Sequence, residues 1–355
     1  MNILALVTVF IITFIFIKII IEFSDKLGLV DIPNERSSHK KVIPRGAGIA
    51  FGSAFFLTFL IFKFNIFINH WLTFLAIFFV FLIGILDDHK DTEPKTKFYV
   101  IIVSGVLLYF DNIYIASLGT FFGYELWLLP FAIPFTIFAI AGFTNALNLI
   151  DGLDGLAASI SIVILSTLFY IGYKNNDLLM IYICSFTISS LVAFLFLNWN
   201  PAKIFMGDSG SLFLGFVISV VTIISLKYIH PVAGLFIVAI PVMDTIIVMI
   251  RRMRKKQSPF SPDKTHIHHI LLIFFQKNVK TTVLFLILLQ ILFSLAGLML
   301  GLNSQIIGET VVSLMAFLAF IGLMVVFYMI FTGMYRRQEL IRKLIKKRRK
   351  RESQK

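Results

Sequence analysis

The chain has 355 residues, 58% of them hydrophobic and 40 of them Phe, with a mean hydropathy of +0.92 and a formal net charge of +13. This balance excludes a soluble globular domain and indicates a polytopic membrane protein. The single cysteine, Cys184, lies inside an apolar run, which excludes a disulfide framework and suits a small core residue.

A membrane-crossing helix needs roughly 17–25 mostly apolar residues. About eleven segments supply such runs: residues 2–22, 47–62, 71–86, 97–110, 130–147, 156–173, 178–197, 211–227, 232–250, 281–302 and 309–333. The first lacks the basic start and small-residue cleavage site of a secretory signal, so it is expected to be a span. The expected architecture is therefore all-α and multi-pass.

The loops between these segments divide by charge. One set carries Lys26, Arg36, Lys40, Lys41 and Arg45, then Lys90, Lys95 and Lys97, then Lys203, the stretch from Arg251 to Lys280, and the terminal tail. The other set carries Lys63, Lys174 and Lys227. Cytoplasmic loops retain Lys and Arg, so the N-terminus is expected outside and the C-terminus inside, which requires an odd number of spans. No fixed-period repeat or linker divides the chain; residues 1–335 form one expected transmembrane catalytic domain, followed by a basic cytoplasmic tail over 336–355. That tail directly follows a span, where attraction to anionic lipid headgroups explains it better than nucleic-acid binding.

The carboxylates follow the same division. Asp31, Asp87, Asp88, Asp91, Asp151, Asp154, Asp208 and Asp263 belong to the basic face, whereas Asp111, Glu125, Asp177 and Glu309 belong to the other. A secondary transporter is expected to hold ionisable groups near the middle of its spans. Here the polar chemistry gathers at one lipid–water boundary.

Four motifs carry it, in chain order. In ILDDHKDTEPKTK, Asp87 and Asp91 share a face if the helix continues, with Asp88 beside them. Clustered carboxylates need a cation, and a hard divalent ion takes such oxygens; Lys95 and Lys97 can grip a phosphate. A charged helix end in water is the competing reading. In FTNALNLIDGLDGLA, Asn145, Asn148, Asp151 and Asp154 recur every three residues, either as a helical stripe or on a short turn permitted by Gly152 and Gly155. An interhelical polar seam is the alternative. In IFMGDSGS, Gly207 and Gly210 bracket Asp208 and Ser209 at a helix start, where backbone N–H groups suit phosphate; a turn with an Asp cap competes. In the basic segment ending HIHH, the spacing of His266, His268 and His269 and the neighbouring cations favour a diphosphate site over zinc, with a solvated basic loop as the competing reading.

Taken together and in this order, DDHKD, NALNLIDGLDGLA, IFMGDSGS and HIHH resemble the polyprenyl-phosphate N-acetylhexosamine-1-phosphate transferase family. The resemblance is strongest to the bacterial branch that primes O-antigen, common-antigen or teichoic-acid linkage synthesis from UDP-GlcNAc. It runs from about Asp31 to Leu271 and includes Asp31, Pro33, Asn34, Arg36, His39 and Pro44 of the first basic loop. Val42, Gly46-Ala47-Gly48 and Lys264-Thr265 depart from the family pattern. The first two concern loop shape, and the third concerns phosphate contact.

The resemblance implies transfer of GlcNAc-1-phosphate from UDP-GlcNAc to undecaprenyl phosphate on the cytoplasmic face of the cell membrane, supported by Mg²⁺, with Mn²⁺ as a substitute. It implies Asp87, Asp88 and Asp91 as catalytic carboxylates, Asp208 and Asn148 as metal ligands, and Lys97 at the acceptor phosphate. Asn145, Asp151 and Asp154 are expected in the uridine and metal region, and His266, His268 and His269 beside the diphosphate and sugar. Asp244, within the ninth apolar segment, either supports this site from beneath or pairs with a neighbouring helix. The implied partners are a UDP-sugar, a polyprenyl phosphate and the membrane, with a homodimer compatible. Other UDP-N-acetylhexosamine donors, a transporter, and a prenyl-chain synthase with its two Asp-rich motifs are the alternatives.

Overall fold

The computed structural model describes residues 3–31, 33, 42–258, 265–303 and 309–352. Asn34, Arg36, His39, Lys40, Lys41, Pro259, Pro262, Asp263 and Lys264 lie outside the described residues. Each of the eleven expected apolar segments falls on helix. They correspond to α1 (Ile3–Leu27), α2 (Ala47–Phe62), the short α3 (Phe64–Asn69) leading into α4 (Trp71–His89), α5 (Pro94–Phe110), α6 (Ala132–Ile150), α7 (Leu156–Lys174), α8 (Leu178–Asn198), α9 (Asp208–Ser225), α10 and α11 (Pro231–Ile237 and Ala239–Arg254), the short α12 (Ile267–Phe274), α13 (Val279–Asn303) and α14 (Glu309–Glu352).

Among the described residues, eight helices are long and apolar enough to cross a bilayer. The ninth apolar segment is broken at Val238 into α10 and α11, bent by 86°, and the pair makes a ninth candidate if it is one span. The helices α2 and α5 have 16 and 17 residues, near the lower limit for crossing. The protein is thus an all-α polytopic membrane protein. Two antiparallel ribbons are additions to the expected architecture: β1 with β2 (Val30–Asp31 and Ile43–Pro44), and β3 with β4 (Ser117–Phe121 and Tyr124–Trp127) between α5 and α6. The last helix runs without a break from the expected final span into the basic tail.

The helix α9 is the hub, packed by α2, α4, α6, α7 and α8 and almost wholly buried along its length. Rings of Phe51, Phe55, Phe59, Phe74, Phe186, Phe194 and Phe213 interlock around it with centroids 4.6–6.1 Å apart. In a membrane such packing comes from close fit rather than from water exclusion, so small residues mark the crossings. A methyl group on Gly84 of α4 would lie 2.6 Å from the Ser209 Cα, and one on Gly48 of α2 would collide with the Gly210 backbone. The two contacts hold the start of α9 between α2 and α4 at one end of the bundle. Outer helices α1, α13 and α14 instead leave Ile11, Ile15, Leu288, Leu292 and Met329 exposed, as lipid-facing surfaces do.

Candidate active site

The start of α9 is where the motifs converge. Four N-terminal N–H groups of any helix lack intrahelical acceptors, and here a carboxylate from another helix supplies acceptors for two of them. Asp88 Oδ1 accepts from the Asp208 N–H at 2.8 Å, and Oδ2 from the Ser209 N–H at 3.1 Å and Ser209 Oγ at 2.5 Å. Arg45 Nη2 donates to the Asp88 carbonyl at 2.7 Å, tying in the first basic loop. Gly207, at φ +75° and ψ 173°, occupies a backbone region that is essentially glycine-only. A methyl group there would stand 2.5 Å from the Asp88 carboxylate.

One residue earlier, Asp87 faces elsewhere. Its Oδ1 accepts from the Thr92 N–H at 2.8 Å and Thr92 Oγ1 at 2.6 Å, and its Oδ2 meets Lys97 Nζ at 2.6 Å. Lys97 Nζ also lies 2.6 Å from Asp208 Oδ2, so one ammonium joins carboxylates from α4 and α9. Asn148 Nδ2, from the end of α6, donates to the same Asp208 oxygen at 3.3 Å.

Beside this junction opens a cavity of about 380 Å³, lined by Asp31, Arg45, Asp88, Asn148, Asp151, Asp154, Asp208 and His269 among others. The helical stripe expected over residues 145–154 is interrupted: α6 ends at Ile150, Asp151 caps it, and a turn closes at Gly155, at φ +75°, before α7 begins. The alternative of a glycine-permitted turn is the one adopted. Asp154 is fastened by Asn200 Nδ2 at 2.7 Å and the Ala202 N–H at 3.0 Å. Asp151 accepts no hydrogen bond from the described residues; burial, with the charges of Asp208, Asp154 and Asp88, pushes it up to about 7.

The three histidines differ in environment. His266 is buried, with Nδ1 3.0 Å from Asp244 Oδ2. His268 is buried between the His266 and His269 rings and against Gly152, where a methyl group would strike its Nε2. Burial pushes His268 down to about 3, leaving it neutral near pH 7. His269 lines the cavity.

Two expected positions fall apart from this set. The helix α4 stops at His89 and Lys90 is extended, at φ −143° and ψ 115°. Asp91 therefore does not share a helical face with Asp87 and is exposed. Asn145 is exposed on α6, one turn before Asn148, and does not line the cavity. Conversely, Thr92, Arg45, Ser209 and Asn200 make specific bonds that motif spacing does not signal. Asp244 bonds His266 Nδ1 and the Ile267 N–H at the start of α12.

The donor set suits a hard divalent cation. No three His, Cys, Asp or Glu side chains among the described residues form a closed metal site. Mg²⁺, however, commonly takes only one or two carboxylates and completes its shell with water and substrate phosphates. Asp151, carrying an unbonded carboxylate among three like charges, with Asp208 and the Asn148 amide on the same cavity, offers that partial set.

The chain is similar to known proteins. A model of glycosyl transferase family 4 matches residues 70–226. A Bacillus subtilis (strain 168) protein described as a probable undecaprenyl-phosphate N-acetylglucosaminyl 1-phosphate transferase is 36% identical over 305 residues, covering 84% of this chain and 83% of its own. The Escherichia coli (strain K12) undecaprenyl-phosphate alpha-N-acetylglucosaminyl 1-phosphate transferase is 35% identical over 278 residues, 75% of each chain. Its Yersinia pestis counterpart is 34% identical over 278 residues, 75% of this chain and 76% of its own. With DDHKD, the NALNLIDGLDGLA turn and IFMGDSGS all inside the matched segment and meeting at one cavity, the chain belongs to glycosyl transferase family 4 and its undecaprenyl-phosphate N-acetylglucosaminyl 1-phosphate transferases.

Proposed function

We propose that this protein transfers GlcNAc-1-phosphate from UDP-GlcNAc to undecaprenyl phosphate, the first membrane step of an envelope polysaccharide. An acceptor phosphate oxygen attacks the sugar-bearing phosphorus of UDP-GlcNAc. The bond between that phosphorus and the bridging oxygen breaks, UMP leaves with the oxygen, and undecaprenyl-diphosphate-GlcNAc remains. Phosphoryl transfer depends mainly on positioning and charge stabilisation. The observation that carries this reading is the Asp87–Lys97–Asp208 junction beside a cavity lined by Asn148, Asp151, Asp154 and His269.

The chain's own residues divide the work. Lys97 neutralises the acceptor phosphate as it nears the donor, oriented by Asp87, which Thr92 fixes in turn. The carboxylate of Asp88 is committed to the start of α9, so its part is to aim Asp208. Because the acceptor is a phosphate monoester, largely ionised near neutral pH, one direct displacement needs no carboxylate nucleophile. His269 and Arg45 line the cavity as partners for diphosphate oxygens. Asp208, Asp151 and Asn148 would hold Mg²⁺, which offsets the repulsion between the two anionic reactants when bound.

The orientation that fits has the cavity on the cytoplasmic side of the cell membrane, the N-terminus outside and the C-terminus inside, with eleven crossings if α2, α5 and the bent α10–α11 pair each count as one. The basic loops on the cavity's side support it. UMP release by the detergent-purified protein, given UDP-GlcNAc and undecaprenyl phosphate with and without Mg²⁺, tests the proposal. Release dependent on lipid and metal, and lost in Asp208→Asn, is expected. Release with a different UDP-N-acetylhexosamine would keep the chemistry and change the donor; silence with every donor would overturn the proposal.

A further inference from the structure

We infer that Asp244 is a positioning residue for the donor side of the cavity, holding the start of α12 so that His268 seats on Gly152 and His269 faces the substrate. This inference rests on the transferase reading of the site. Asp244 lies on α11, is 1% exposed, and is not among the residues lining the cavity. Both of its oxygens are used across more than twenty residues of sequence: Oδ1 accepts from the Ile267 N–H at 2.7 Å, and Oδ2 pairs with His266 Nδ1 at 3.0 Å.

The pairing acts at the start of α12. Arg251, two turns further along the same face of α11, donates from Nη1 to the Thr265 carbonyl at 2.8 Å. Two side chains of α11 thus catch residues 265–267 in succession. From there the three imidazoles run toward the cavity: His266 stacks on His268 with centroids 5.8 Å apart, and His268 meets His269 at 4.2 Å. The absence of a side chain on Gly152 lets His268 reach the turn that carries Asp151 and Asp154. A shift of α12 would therefore move His269 and release the turn together. A carboxylate that orients an imidazole through Nδ1 while holding a backbone N–H fixes both ring direction and helix entry. Because the acceptor's phosphate site is built from α4, α5 and α9, Asp244 affects the donor more than the lipid.

The test combines Asp244→Asn and Asp244→Ala with His269→Ala in a double-mutant cycle, measuring kcat and KM separately for UDP-GlcNAc and undecaprenyl phosphate. Hydrogen–deuterium exchange of the 265–271 segment is followed in parallel. Asp244→Asn is expected to lower donor kcat/KM about tenfold or more, with the lipid KM changed less than about twofold. It is also expected to speed exchange in that segment. In the His269→Ala background the same substitution should have little further effect on the donor, because the two act through one route. Equal losses for donor and lipid, additive effects with His269→Ala, or unchanged exchange would overturn the inference. Should Asp244→Ala fail to fold, Asp244→Asn, which keeps an acceptor for the Ile267 N–H, carries the test. The exchange arm reads Asp244 even without detectable transfer, so absence of UMP release by the wild type, which sinks the transferase reading, is distinguishable from unchanged exchange, which sinks this one.

Discussion

Lys97→Met tests the junction between the carboxylates of Asp87 and Asp208. The ammonium lies 2.6 Å from Asp87 Oδ2 and 2.6 Å from Asp208 Oδ2, with 22% of the side chain exposed. Hydrogen bonds to charged groups contribute about 1.5–3 kcal/mol each. If the ammonium makes one such bond to the acceptor phosphate that is realised only in the transition state, its loss at about 2.7 kcal/mol is roughly a hundredfold in rate. Methionine has similar length and no charge, so the packing of α5 against α4 survives. The same substitution frees an oxygen of Asp208, so half-maximal Mg²⁺ should not rise and is expected to fall. The assay is steady-state UMP release over a Mg²⁺ titration, with thermal stability measured alongside. Lys97→Arg should recover only part of the loss, since a larger, delocalised guanidinium does not place its charge at the single point where the ammonium lies 2.6 Å from both oxygens. Activity of Lys97→Met within about threefold of wild type, or a large rise in the Mg²⁺ needed, would refute the reasoning.

Gly207→Ala places a methyl group against the Asp88 carboxylate at a φ of +75° and should cost about 1–3 kcal/mol of stability, read by thermal denaturation, together with most of the activity. Gly152→Ala should displace His268 and lower donor kcat/KM about tenfold while sparing the lipid KM; equal effects on both substrates would count against the His268–Gly152 contact. Asp151, raised from 3.8 to about 7, keeps a proton in the folded protein that the unfolded chain has already released. Stability without divalent ions should therefore fall as pH rises from about 4 through 7. Added Mg²⁺ should restore it at the upper end, and Asp151→Asn should flatten the slope; melting temperatures at about pH 5 to 8 check all three. Asp154→Ala leaves Asn200 and the Ala202 N–H without their acceptor, so it should destabilise by about 1–3 kcal/mol, visible as a lower melting temperature.

What the sequence displays and what it conceals follow from the range of the interactions. Apolar runs such as 156–173 and 178–197 are local properties, and α7 and α8 follow them closely. The DDHKD spacing invites a continuous helix, but the extended Lys90 turns the chain and lets Thr92 cap Asp87 while Asp91 goes to solvent. Likewise Asn145 to Asp154 repeat at helical intervals, yet the helix ends at Ile150 and Gly155 redirects the chain into α7. The link from Lys97 to Asp208 spans 111 residues and that from Asp88 to Ser209 spans 121; no periodicity records such distances. The break at Val238 has a local signal in Pro241, which sits in the first turn of α11, but the 86° angle of the bend does not. Arg45 illustrates the same limit: its charge marks a loop's side, whereas its bond to the Asp88 carbonyl belongs to the folded chain alone.

The most direct measurement of the central claim follows phosphorus itself. UDP-GlcNAc labelled with ³²P at the sugar-bearing phosphate is incubated with undecaprenyl phosphate, Mg²⁺ and the purified protein, and lipid and aqueous products are separated. Direct GlcNAc-1-phosphate transfer puts that label in the lipid and leaves unlabelled UMP in water. Label recovered in UDP, with an unlabelled sugar on the lipid, would mean transfer of the sugar alone and would contradict the account.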